Sequence, residues 1–223
     1  MKLFIASLSL LALCLAIASP AIAQDLYDNG PVNGQVDAWT INFGFAVSDT
    51  VHCCMVEGNG PQVGITDISF WAWLEPGDTA TSVEVSLGST GYFSNDLFDG
   101  IVSLTQSGCF TNNFGLDVCQ ETGNFSGPTL SNGNYFLTLS NAVTAEGEPL
   151  YWDENSGVGC TSPGCPSSAQ ENTLGTIPSE AFTLSGATTD TTSETSTPEP
   201  SSIMLFGSGL LGLAGVLRHK IKL

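Results

Sequence analysis

Apolar and polar residues alternate with a period of two through the middle of the chain, which is the pattern of half-buried β-strands. Two runs show this alternation with little interruption: Ile68, Phe70, Ala72 and Leu74, then Val83, Val85 and Leu87. A third run, over 37–47, predicts one continuous strand with a single apolar face: Trp39, Ile41, Phe43, Phe45 and Val47. Shorter runs at 101–105, 135–140 and 181–184 predict further strands.

Turn-forming residues separate these runs along the chain. The turn signals are Asn29-Gly30-Pro31, Pro76-Gly77-Asp78, Asn132-Gly133-Asn134 and Ser162-Pro163-Gly164. No helical period persists over residues 24–186, and this stretch is long enough to form one domain with its own core. The sequence therefore predicts an all-β body over 24–186, an antiparallel β-sandwich of jelly-roll type.

The N-terminus has a different pattern, a basic residue followed by a mostly apolar run. Lys2 precedes this run, which extends to Ala18, and Ala21-Ile22-Ala23 places small residues where a signal peptidase requires them. The pattern predicts a cleavable signal peptide over 1–23 and export of the rest of the chain. An uncleaved membrane anchor is the alternative, which the shortness of the run disfavours.

A second apolar segment lies near the C-terminus, over 203–217, and Arg218 and Lys220 follow it. As a helix it would reach about 22 Å, and snorkelling basic side chains or a thinner bilayer would bring it to membrane thickness. It predicts a single transmembrane helix with a cytoplasmic C-terminal end. The preceding residues, 187–197, are rich in Thr and Ser and predict a flexible linker.

The tripeptide Pro198-Glu199-Pro200, the glycine-rich apolar segment and the basic end follow one another in that order. This order resembles the PEP-CTERM sorting signal, which would cover 198–223. The resemblance implies recognition of Pro198, Glu199 and Pro200 by an exosortase-type membrane enzyme, with Arg218 and Lys220 as the basic end of the signal. It also implies a membrane-anchored precursor and delivery to the cell surface or extracellular matrix of a Gram-negative bacterium. A plain single-pass anchor is the alternative.

Charge divides the chain as sharply as hydropathy does. The chain has 4 Lys and Arg residues against 22 Asp and Glu, and no Lys or Arg occurs between Gln24 and Pro200. Nucleic acid and anionic lipid are therefore disfavoured as partners of the body, since both are bound through cationic side chains. Each carboxylate there must be solvated, hydrogen-bonded or bound to a cation. The weak candidates for Ca²⁺ ligands are Asp96, Asp99, Asp153 and Glu154.

Six cysteines follow the predicted signal peptide, an even number that suggests disulfides in an exported domain. We predict the local pairs Cys109–Cys119, across a hairpin, and Cys160–Cys165, across a tight loop. Cys53 and Cys54 remain, with a vicinal disulfide, reduced thiols or a different pairing as alternatives. Next to them His52 completes a group of soft metal ligands. A metal site is disfavoured because tetrahedral zinc requires four ligands at recognisable spacing, so a disulfide-bearing strand end is the favoured interpretation.

Trp71 and Trp73 alternate with the apolar set of their strand, so they lie on its opposite face. Together with Trp152 they are candidates for a solvent-facing platform that stacks on sugar rings, although core packing is the favoured interpretation.

Three function classes follow from these observations. The favoured one is a non-enzymatic structural or adhesive protein of the cell surface or exopolysaccharide matrix. A carbohydrate-binding module comes second, with extracellular polysaccharide as its partner. A carboxylate-dependent glycoside hydrolase comes third. Such an enzyme uses a pair of acids, but among so many acidic residues pairs are inevitable, so their presence does not distinguish a hydrolase from a protein of another class. No cofactor is expected, Ca²⁺ excepted.

Overall fold

The computed structural model of the chain describes residues 24–53, 62–155 and 168–189. Within these ranges the regular secondary structure consists of β-strands alone, and all strand pairs are antiparallel. The all-β, antiparallel prediction is confirmed, while the β-sandwich of jelly-roll type stays a prediction. The predicted signal peptide over 1–23 and the predicted transmembrane helix over 203–217 lie outside the described residues. No helix in the described ranges has the length and apolar character needed to cross a membrane.

The described part of the body contains thirteen strands. In chain order they are β1 (Gln24–Asp28), β2 (Ala38–Thr40), β3 (Ala46–Cys53), β4 (Gln62–Leu74), β5 (Ala80–Gly88), β6 (Phe98–Thr111), β7 (Asp117–Asn124), β8 (Thr129–Leu130), β9 (Gly133–Thr144), β10 (Tyr151–Asp153), β11 (Ala169–Glu171), β12 (Gly175–Ile177) and β13 (Phe182–Thr189).

The strands follow the order β1-β13-β4-β7-β6-β5-β9-β3-β11-β12, with β2, β8 and β10 attached beside this path. The strand β6 belongs to two parts of the sheet, because it pairs with β5 over 98–103 and with β7 over 104–111. We call the part on the β7 side, with β1, β13 and β4, the first half, and the part with β5, β9, β3, β11 and β12 the second half.

One hydrophobic core cluster contains side chains from both halves. Phe70, Phe182 and Trp152 from the first half are buried in the same cluster as Val85 and Leu139 from the second. Direct hydrogen bonds also cross between the halves: the Tyr27 hydroxyl donates to the Thr50 carbonyl (3.2 Å), and Asn29 Nδ2 donates to Asp49 Oδ2 (3.0 Å). The period-two patterns of β4 and β5 supply much of this core, as predicted.

The predicted strand over 37–47 is wrong, because a turn divides it into β2 and β3. Phe43 and Gly44 have φ angles of 55° and 90°, and the Phe45 N–H donates to the Asn42 carbonyl at 3.0 Å. The Asn42 side chain anchors the turn, since its Nδ2 donates to the Glu148 carbonyl and its Oδ1 accepts the Leu150 N–H. Phe43 is therefore 65 % exposed rather than in the core.

The body also extends beyond residue 186, the predicted boundary between body and linker. The last strand, β13, continues to Thr189, because Ala187, Thr188 and Thr189 pair with β4 at Gly64, Val63 and Gln62. The first compact unit of the chain accordingly ends at Thr189. Small and β-branched residues fit a strand as readily as a linker, so composition alone did not separate the two.

Candidate functional site

The outer face of the first half is the side of β4, β7 and β6 that points away from the core. Strand alternation creates it: Ile68, Phe70 and Ala72 point inward, so Ser69 and Trp71 between them point outward. The register of the three strands then aligns outward side chains of neighbouring strands into rows, because residues directly opposite one another share a face.

Three such rows make up what we call the outer face. The aromatic row runs across the strands as Trp73, Val118 and Phe110; the mixed row as Trp71, Gln120 and Ser107; the hydroxyl row as Thr183, Ser69, Thr122 and Thr105. No residue of these rows is charged. Charge returns in the next row along the strands, at Asp67.

Two aromatic pairs lie at one end of this face. The rings of Trp71 and Phe110 are 6.1 Å apart and tilted by 52°, and those of Trp73 and Phe114 are stacked 5.6 Å apart at 27°. Phe110 is 40 % and Phe114 63 % exposed, while Trp71 is half-buried. The rings therefore support one another and still present apolar surface to solvent.

The hairpin between β6 and β7 holds both phenylalanines in place. The predicted disulfide Cys109–Cys119 is confirmed, with its Cα atoms 4.1 Å apart. In the turn, Asn112 Oδ1 accepts the N–H groups of Phe114 (2.9 Å) and Leu116 (3.0 Å). A bulge between Ser107 and Phe110 shifts the strand register just before the turn, and such bulges redirect side chains.

Two of the three tryptophans considered for a platform are not open to solvent. Trp152 is fully buried: its ring packs against Phe70 and Phe182, and its indole N–H donates to the Ala181 carbonyl at 3.1 Å. Trp73 points outward but is only 6 % exposed, because Phe114 covers its ring and its N–H donates to Asp153 Oδ1 at 2.6 Å. Of the predicted set, Trp71 alone remains partly open to solvent.

Phe110 and Phe114 were missed in the sequence because they do not belong to an alternating run. The bulge at Gly108 breaks the period of β6 before Phe110, and Phe114 lies in the turn itself. The only signal was the Cys109–Cys119 spacing, which predicted a closed hairpin. A hairpin closed by a disulfide and carrying two aromatic residues would have been the reason to consider Phe110 and Phe114 as candidate site residues.

A separate group of buried carboxyl groups includes Asp153 and Glu180. Asp153 accepts N–H groups from Asn33, Gly34 and Trp73 at 2.6–3.1 Å, yet burial raises its pKa to about 6. Full burial, with the neighbouring carboxylates Asp49 and Glu154, holds the pKa of Glu180 well above its usual range. Both carboxyl oxygens of Glu180 lack a hydrogen-bond partner.

Glu121 is a second buried acid without a partner. It lies on the inner side of β7, opposite Phe70 of β4 and Gln106 of β6. Neither of its carboxyl oxygens has a hydrogen bond, and burial raises its pKa to about 8. A carboxyl group in this state is protonated at neutral pH and has no contact with solvent, so it is not available to a substrate.

The calcium candidates do not converge. Asp96 binds the backbone and side chain of Ser89, and those hydrogen bonds lower its pKa; Asp99 accepts from Ser86 and Asn95. The Asp153 carboxylate already accepts the hydrogen bonds given above, and Glu154 is buried just after the C-terminal end of β10. Among the described residues, no three His, Cys, Asp or Glu side chains are placed to hold a metal ion.

The two described members of the soft-ligand group at the end of β3, His52 and Cys53, make other contacts. His52 Nδ1 lies 2.7 Å from Asn134 Oδ1, and Cys53 is disulfide-bonded, with its partner outside the described residues. Cys54, Cys160 and Cys165 also lie outside, so the predicted Cys160–Cys165 pair stays a prediction. A disulfide sulfur is not a thiolate, so Cys53 does not serve as a metal ligand in this state.

An open cleft of about 600 Å³ lies at the β4–β5 turn. It is lined by Glu75, Pro76, Gly77, Asp78, Glu146 and Glu148. Burial acts to raise the pKa of Asp78, but the N–H groups of Thr79 and Glu146 outweigh it and leave the pKa lowered. The lining offers acids without an aromatic ring or a cation, so it has no surface on which a sugar ring would stack.

Comparison with protein families identifies the C-terminal segment. Residues 196–218 match the family model of the PEP-CTERM protein-sorting motif. The match confirms the resemblance drawn from Pro198, Glu199 and Pro200, and it includes Arg218. It covers the C-terminal segment alone and leaves the body unassigned. The chain has no match among characterised proteins or among solved structures.

Proposed function

We propose that the protein is an exported structural or adhesive component of the cell surface or extracellular matrix. The observation that carries the proposal is the sorting motif at 196–218, which implies export and processing by an exosortase-type enzyme. The precursor is anchored by the predicted helix over 203–217 in a Gram-negative membrane, after signal peptidase has removed 1–23.

The body has properties that suit this location. Its Cys109–Cys119 disulfide is stable only where the surroundings are oxidising. Its surface carries acids without Lys or Arg, so it does not adhere to nucleic acid or to anionic lipid. Both properties are expected of a body that works outside the cytoplasm.

A non-catalytic role has separate support. The acids with strongly raised pKa values, Glu121 and Glu180, are fully buried and face the core. The solvent-accessible acids of the open cleft have no aromatic ring beside them. A glycoside hydrolase needs two facing acids that both reach the substrate, and the fully buried Glu121 and Glu180 do not reach one.

The test is to replace Pro198, Glu199 and Pro200 together with alanine in the producing bacterium. We expect the wild-type chain in the surface or medium fraction, and the variant in the membrane fraction as a longer, uncut form. N-terminal sequencing should give Gln24 as the first residue of both. Release of the variant in the same amount and at the same length as wild type would overturn the proposal.

A further inference from the structure

The outer face differs from the rest of this acidic protein in having no charge. Its three rows contain aromatic rings, hydroxyl groups, one amide and the buried Val118. Two acids border these rows: Asp67, in the next row along the strands, and the buried Asp153, which accepts the Trp73 indole N–H at 2.6 Å. Neighbouring strands are about 4.8 Å apart and alternate residues on a strand about 6.8 Å apart. The three strands and three rows therefore span roughly 10 by 14 Å, which is wider than a single sugar ring.

The two ends of the face offer complementary chemistry. At one end Trp71 and Phe110 present apolar ring surface, and at the other Ser69, Thr122 and Thr105 present hydroxyl groups. Gln120 connects the ends, since its Nε2 donates to Ser69 Oγ at 2.8 Å. Pyranose rings have the same two-sided character, with apolar C–H faces and hydroxyl edges.

The face is also ordered before any ligand binds. Trp71 and Phe110 contact each other, and the disulfide Cys109–Cys119 closes the hairpin next to them. Side chains on paired strands lose less conformational freedom on binding than side chains on a mobile loop, so more of the contact energy remains as affinity. Sites built on strands are correspondingly well defined.

Other partners fit less well. A lipid surface requires aliphatic side chains, but Val118, the one aliphatic residue of the rows, is fully buried. A protein interface of this size would have a larger apolar centre than Trp71 and Phe110 provide. An acidic polysaccharide would need Lys or Arg, and the body has none. The remaining class is a neutral polysaccharide.

We propose that the outer face of β4, β7 and β6 binds a neutral polysaccharide, with Trp71 and Phe110 stacking on sugar rings and the row of Ser69, Thr122 and Thr105 binding hydroxyl groups. The proposal rests on the proposed function as an exported surface protein, and it names the class of partner that such a protein would hold.

The test is native gel electrophoresis of the full-length chain in mild detergent, with polysaccharide cast into the gel. The neutral probes are hydroxyethylcellulose and galactomannan, and the acidic probe is alginate. We expect at least one neutral probe to retard the wild-type chain and alginate to leave it unaffected. Trp71→Ala should weaken the retardation by about tenfold or more in apparent affinity, which corresponds to about 1.4 kcal/mol.

Two further variants separate stacking from folding. Trp71→Phe keeps a ring and should retain most of the affinity, whereas Thr122→Val keeps the shape but loses a hydroxyl group and should weaken binding less than Trp71→Ala does. The matched control is Phe43→Ala, which removes a 65 % exposed ring outside the face and should change nothing. Peptide mapping of Cys109–Cys119 verifies that each variant has folded.

Three results would overturn the proposal: no retardation by either neutral probe, equal retardation of wild type and Trp71→Ala, or equal retardation by alginate. Self-association in sedimentation that Phe114→Ala abolishes, without polysaccharide binding, would also overturn it in favour of a contact between copies. Delivery to the surface is scored separately in the producing cell, where Trp71→Ala should be delivered like wild type. Failure of delivery and failure of binding are therefore distinct results.

Discussion

Asp153 and Glu121 are both completely buried carboxyl groups in a body without Lys or Arg, yet their surroundings are opposites. Asp153 lies where the loop over 33–34 and the Trp73 indole direct N–H groups at it. Glu121 lies opposite Phe70 and has no hydrogen bond to either oxygen. The pKa follows this difference, at about 6 for Asp153 and about 8 for Glu121.

The comparison shows how a protein without basic residues buries an acid. At Asp153, backbone and indole donors replace much of the lost hydration, so the charged form is present at neutral pH. At Glu121 nothing replaces it, and the group is neutral instead. The hydrogen-bond donors around a buried carboxyl group in this body therefore determine whether the group is ionised or protonated at neutral pH.

The largest expected effect is on the pH dependence of stability at Glu121. Its pKa rises from 4.5 in the unfolded chain to about 8 in the folded protein, so between these values the folded state binds the extra proton. Stability is therefore highest below pH 4.5 with respect to this group and falls as pH rises, by about 1.4 kcal/mol per pH unit, up to pH 8. Glu121→Gln should remove this slope, and urea unfolding at pH 5 and pH 8 measures it.

Repulsion among surface acids also weakens the fold as pH rises, so a control variant is needed. Glu75→Gln removes an exposed acid and should leave the slope nearly unchanged. Between pH 5 and pH 8, the loss of stability in Glu121→Gln should be roughly 4 kcal/mol smaller than in wild type. Identical slopes in wild type and Glu121→Gln would mean that the Glu121 carboxyl is hydrated or ionised in the folded protein.

A smaller loss of stability is expected when the carboxylate acceptor of Asp153 is removed from the N–H donors around it. Asp153→Ala leaves the N–H groups of Asn33, Gly34 and Trp73 without a partner, which should cost about 3 kcal/mol of unfolding free energy. Asp153→Asn keeps one acceptor oxygen and should lose less than half as much. Urea unfolding at pH 7 compares the two, and equal losses would show that these hydrogen bonds contribute little.

The smallest effect is expected from salt. Raising NaCl screens the repulsion among exposed acids over a Debye length of about 10 Å at 0.1 M and should stabilise the body by about 1 kcal/mol or less. CaCl₂ at matched ionic strength should add nothing further, because no three acidic groups of the described residues converge. A clearly larger rise in melting temperature with Ca²⁺ would reveal a cation site that includes residues beyond these.

The sequence predicted those parts of the fold that depend on local pattern. Period-two alternation located β4 and β5, and cysteine spacing located the Cys109–Cys119 hairpin. It failed at 37–47, where five alternating apolar residues matched a strand but a turn stabilised by Asn42 and Gly44 divides them. Alternation describes a single strand and cannot detect a side chain that anchors a turn from across the fold.

The candidate site was predicted only in part, for a related reason. Alternation placed Trp71 on the outer side of β4, but its neighbours depend on register, which only the folded sheet defines. The row of Thr183, Ser69, Thr122 and Thr105 joins residues from four strands, and a single sequence gives no indication that they align. The burial of Trp152 was likewise invisible, since a strand only three residues long shows no period.

The position of β13 has a mechanical consequence. This strand is the last of the body, and beyond Thr189 the chain continues toward the sorting motif at 196–218. It lies between β1 and β4, so backbone hydrogen bonds hold it along both edges, with Phe182 to Thr189 paired to β4. Tension applied along its axis by a tethered C-terminus would shear these bonds together rather than peel them apart one at a time.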